Sequence, residues 1–163
     1  MASNAALAIM SAAGTPGPTG PTGATGGTAD FTSAVVNGEG ATSLVAGMVV
    51  CGNVAVADSV VRAKADSMTT SRVFGIWVSA STPAGGTGNA AHTGLITLTT
   101  AQWDAVVTGQ VGGLTPWTVY YLSAATAGFL TVMAPGAGNV VAIIGTAIST
   151  TELRFLLQTP VQL

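Results

Sequence analysis

The sequence predicts an all-β fold, a β-sandwich or barrel-like domain with one short helix, preceded by a short collagen-like stalk and assembled as a trimer. Three observations predict it. After Asp30 the chain breaks into short β-branched runs separated by Gly, Asn and Pro, the pattern of many short strands joined by tight turns. Before Asp30, Gly recurs at every third position with Pro between. Finally, only 6% of the 163 residues are charged, against roughly 25% in an ordinary soluble domain. The chain divides accordingly into an N-terminal arm (1–13), a Gly-X-Y segment (14–28) and a β-rich domain (29–163).

The arm comes first. Ala5 to Ala13 are small and apolar, and Ser11-Ala12-Ala13 resembles a cleavage site. No Lys or Arg precedes them, however, and a signal peptide needs a positive leading region, so residues 1–13 read as an anchoring arm or short helix. No run in the chain approaches the roughly 18 apolar residues of a spanning helix, and no membrane partner is expected. Leu7, Ile9 and Met10 are the arm's bulky apolar groups and its candidate docking residues.

The segment 14–28 reads GTP GPT GPT GAT GGT, with Gly14, Gly17, Gly20, Gly23 and Gly26 in register and Pro at 16, 18 and 21. At the Gly content of this chain, four further hits at that spacing have a chance on the order of 1 in 3,000 per starting point. The period has a steric cause. Three polyproline-II chains wound together leave room for only a hydrogen at the axis, and Pro pre-sets the backbone. A flexible Pro/Gly linker needs no strict period. Five triplets are few for a stable rod, so a trimeric domain is expected beside it; extended, the rod reaches roughly 45 Å at about 3.1 Å per residue.

In the body, strands are expected at 47–51, 53–57, 59–64, 72–78, 94–99, 118–123, 128–133, 139–147 and 152–158. Alternation puts Val119 and Tyr121 on one face and Tyr120 and Leu122 on the other, and it groups Leu153, Phe155 and Leu157. The segment Thr100–Val106 is the exception: a Thr cap before a non-β run predicts one short helix with Trp103 and Val106 or Val107 turned inward. Gly-rich stretches at 85–88, 109–113 and 136–138 read as turns or loops.

Charge and chemistry narrow the function. A compact 15.9 kDa monomer exposes roughly 7,400 Å², so ten charges leave about one per 700 Å². Hydroxyls cover part of that surface, with 24 Thr and 11 Ser, and neighbouring subunits are expected to cover the rest. Net charge is −2 with no basic cluster, so nucleic acid is not an expected partner. The single Lys follows Ala63, which rules out a Walker sequence. One Cys and one His, Cys51 and His92, make a nucleophile pair only if folding joins them, and a lone Cys amid Val and Met reads as a buried hydrophobe. Asp58 and Asp66 flank Arg62 and Lys64 and read as surface ion pairs before they read as paired catalytic acids. No cofactor, metal site or catalytic residue is expected. The aromatics Trp77, Trp103, Trp117, Tyr120 and Tyr121 are expected in the core and at subunit contacts.

A set of short motifs carries a resemblance. Thr99-Thr-Ala-Gln-Trp-Asp-Ala-Val, Gly112-Gly-Leu-Thr-Pro116, Tyr120-Tyr-Leu-Ser123, Gly128-Phe-Leu-Thr131, Ala134-Pro135 and Gly145-Thr-Ala-Ile-Ser-Thr-Thr-Glu-Leu153 occur in that order. Together they resemble a β-rich domain of tailed-bacteriophage virion proteins, found in head decoration proteins, head fibres and tail fibres. The likeness covers roughly residues 45–158. The family pattern usually has Gly after Leu-Thr-Pro, where this chain has Trp117. The resemblance implies a virion component without catalytic residues. The expectation is a capsid decoration (cement) protein on the capsid exterior, a homotrimer seated on the major capsid protein; the alternative is a tail-fibre or head-fibre module for host attachment.

Overall fold

The computed structural model describes residues 31–163. The arm with Leu7, Ile9 and Met10, and the Gly-X-Y segment with Gly14, Gly17, Gly20, Gly23 and Gly26, lie outside the described residues. Strands β1 (Thr32–Asn37), β2 (Val49–Gly52), β3 (Ser59–Arg62), β4 (Val73–Trp77) and β5 (Thr87–Ala91) close into a barrel in the order β1-β3-β2-β4-β5. β1 and β3 run parallel, and β5 returns to β1 antiparallel from Thr32↔Ala91 to Val36↔Thr87. Closure leaves these five strands no open edge to pair with another chain.

The second sheet has an edge at each end. β6 (Gly94–Thr97), β7 (Val119–Leu122), β8 (Leu130–Thr131), β10 (Ile143–Ala147) and β11 (Glu152–Phe155) lie in the order β6-β11-β10-β7-β8. Between β8 and β10, the short β9 (Val140–Val141) turns away to pair with β12 (Val161–Gln162). The barrel and this sheet share one core in which Trp77, Trp103, Tyr120, Phe155, Leu44 and Ile144 are completely buried. Side chains of this size contribute roughly 1.5–3 kcal/mol each when fully buried. Their polar ends are mostly satisfied: Trp103 Nε1 donates to the Thr151 carbonyl at 2.9 Å, and the Tyr120 hydroxyl donates to Gln110 Oε1 at 2.8 Å. Trp77 Nε1 has no partner among the described residues.

Several expectations hold. β7 alternates as read, with Tyr120 and Leu122 inside and Val119 and Tyr121 half-buried on the other face. The helix α1 (Thr100–Asp104) buries Trp103, and both Val106 and Val107 turn inward after it. Its cap is Thr99 rather than Thr100, because Thr99 and Gln102 form a reciprocal capping box.

Other expectations fail for local reasons. Residues 53–57 form no strand: Asn53 Oδ1 accepts the Ala55 N–H at 2.9 Å and folds the run into the β2–β3 turn, leaving Val54 and Val56 exposed. β11 stops at Phe155, so Leu157 does not join Leu153 and Phe155 in the core. The run 139–147 divides between β9 and β10. Conversely, β1, β5 and β12 fall where no strand was expected. β5 reads Thr-Gly-Asn-Ala-Ala and looks like a loop, but it sits between β1 and β4, where bulk is excluded. A Cβ on Gly88 would run into the indole of Trp77.

Candidate interaction surface

The charged groups are largely consumed within the fold. Arg62 Nε lies 3.0 Å from Glu39 Oε1, which also accepts the Arg62 backbone N–H at 2.8 Å. Burial acts to raise the Glu39 carboxyl, and Arg62 outweighs it through hydrogen bonds and charge, holding it below the usual range. Arg62 thus pairs with Glu39, correcting the expected link to Asp58. Lys64 Nζ and Asp66 Oδ2 are 2.9 Å apart, as expected, and the Lys64 and Thr70 hydrogen bonds lower the Asp66 pKa. The Asp104 carboxylate accepts the backbone N–H groups of Gly112 and Gly113 at 3.0 and 2.7 Å, which pins the Gly-rich turn after the helix.

Cys51 and His92 are not brought together as a pair. Cys51 is buried on β2, and burial pushes its thiol pKa up, opposite to an activated nucleophile. Both His92 nitrogens have other partners. The β2–β4 ladder has a bulge at Phe74, and the Phe74 carbonyl lies 3.0 Å from His92 Nδ1. A carbonyl only accepts, so Nδ1 donates to Phe74, and Nε2 and Ser33 Oγ share a second hydrogen bond at 2.7 Å. The imidazole stands edge-on to the Phe74 ring and ties β1 to the bulged strand. This junction, missed in sequence, joins residues far apart in the chain. Among the described residues no group of three or more His, Cys, Asp or Glu could hold a metal, and no helix is long and apolar enough to cross a membrane.

The aromatic set separates by location. Trp77, Trp103 and Tyr120 have no exposed surface and belong to the chain's own core, so they are withdrawn as subunit contacts. Tyr121 is half-buried, and Trp117 is 77% exposed. Trp117 also has φ = +64°, the left-handed region that bulky residues avoid at a cost of about 1–2 kcal/mol. Its N–H donates to the Ala147 carbonyl at 2.8 Å, which holds the turn in that shape. No family model matches this chain, and no curated protein matches it.

Two surface features bear on assembly. One is the outer face of the second sheet, where register aligns Leu95, Arg154, Thr146 and Val119 across four strands, with Tyr121 opposite Ile143 beside them. The other is a groove of about 320 Å³ between the start of β1 and β6, lined by Phe31, Val78, Ala91, Leu95 and Ile96 among others. Among the described residues no charged side chain lines it. Phe31 and Leu95 are both more than half exposed there, in keeping with a surface that a partner covers.

Proposed function

We propose that this protein is a homotrimeric structural component of a phage virion, a decoration (cement) protein that binds the major capsid protein on the capsid exterior. The observation that carries the reading is the glycine at every third position from 14 to 26, set beside a charge-poor β domain with apolar surface near its start. Such a rod needs three chains, and such a surface gains by being covered. The motif resemblance supplies the virion context. Attachment is assigned to the arm 1–13, with Leu7, Ile9 and Met10 as its apolar contacts, so that the rod projects the domain from the shell. Its work is mechanical, adding interface area at capsomer junctions; standard interfaces bury roughly 1,600 Å² in total, and repetition makes modest single contacts sufficient. No chemistry is assigned to His92, Cys51 or the paired acids.

Two measurements test the reading. Native mass of the full chain in dilute solution is expected at three times 15.9 kDa. A mass of one chain, both free and on the particle, removes it. Densitometry of purified virions is then expected to give dozens to hundreds of trimers per particle. A few per particle would move the protein to the fibre alternative.

A further inference from the structure

The groove between β1 and β6 lies where the rod would deliver the domain. Gly26 is the last in-register glycine and sits at the axis in a triple helix, and Phe31 follows five residues later. Five residues span at most about 18 Å, at roughly 3.3–3.6 Å each. The 133 described residues form a body with a radius of gyration of roughly 14 Å, or a sphere of roughly 18 Å radius. Three such spheres touching about a threefold axis have their centres about 21 Å from it, by the same size scaling. Phe31 therefore lies nearer the axis than the centre of its own domain.

From this we infer that the groove lined by Phe31, Val78, Ala91, Leu95 and Ile96 is the subunit contact, closed in the trimer by a second copy of this chain. The inference rests on the trimeric reading above and names the surface that reading leaves open. Three features of the groove fit that occupant. No charged side chain among the described residues lines it. Its β6 wall is the end strand of the second sheet, hydrogen-bonded on one side to β11. Its exposed apolar side chains are Phe31, just before β1, and Leu95 on β6, and both line the same groove.

Leu95→Asp in the full chain tests it, with Val111→Asp as control at a 93% exposed site outside the groove. The expected result is a shift from trimer to monomer at fixed concentration for the first and an unchanged mass for the second. A thiol probe guards against simple misfolding. Leu95→Cys is expected to be alkylated about tenfold more slowly than Val111→Cys in the native trimer, because a covered thiol is shielded from reagent. A wild-type trimer whose Leu95→Cys thiol reacts as fast as the Val111→Cys thiol overturns the groove assignment and leaves the trimer standing. A monomeric wild type overturns both.

Discussion

Trp117 shows how a single residue can run against the fold that holds it. Its left-handed backbone costs about 1–2 kcal/mol, whereas glycine there would favour the unfolded state by only about 0.4–1 kcal/mol through its extra freedom. Being 77% exposed, the indole gains little from its own chain. The balance favours glycine for stability, so retention of Trp points to a contact outside the chain. Trp117→Gly should leave the unfolding free energy of the full chain unchanged or raise it by about 1 kcal/mol, while trimer recovery in sedimentation falls. Equal losses in both would make Trp117 an ordinary part of the fold. In the sequence the position stands out only as a Trp that follows Leu-Thr-Pro. Its backbone angle is set by the turn and the Ala147 carbonyl, and no local pattern announces it.

Among the elements, those with strong local patterns were legible and those shaped by their neighbours were not. β7 and β11 alternate and were read correctly up to Phe155, and α1 was found from its threonine cap and non-β composition. β5 was missed because its glycine and alanines answer to the Trp77 ring across the barrel, a contact that sequence cannot show. Residues 53–57 misled in the opposite direction: Val54 and Val56 alternate like a strand, yet one asparagine oxygen suffices to close the turn. The Glu39–Arg62 link joins the turn after β1 to β3 and has a definite pH signature. The folded Glu39 pKa is lowered, so its stabilisation is complete above the unfolded carboxyl's value near 4.3 and is lost as pH falls through the folded value. Glu39→Gln should therefore cost about 1–2 kcal/mol at pH 7 and flatten the acid limb below about pH 4. Chemical denaturation across pH 3–7 checks this, and an acid limb as steep as wild type would assign it to other carboxyls.

At the scale of the whole molecule, the barrel closes one half of the domain, while the second sheet leaves an outer face and the end strand β6 uncovered, its other end strand β8 being bridged by Val107. A chain with so few charges cannot hydrate those surfaces with ions, and four of its ten charges are bound up in two internal pairs. That imbalance is what assembly would resolve, and the glycine period is the only sequence device that fixes how many copies take part. Gly20→Ala tests that device directly. Each added methyl meets a full axis, and overpacking costs typically about 1–3 kcal/mol per site, so three copies put roughly 3–9 kcal/mol against one trimer. Trimer recovery in sedimentation should fall and the dissociation temperature should drop. Thr22→Ala, at an outer position of the same triplet, should leave both near wild type because outer positions of a collagen triple helix face solvent. If the two variants behave alike, residues 14–28 act as a plain linker, and the number of chains in the assembly must be set by the β domain alone.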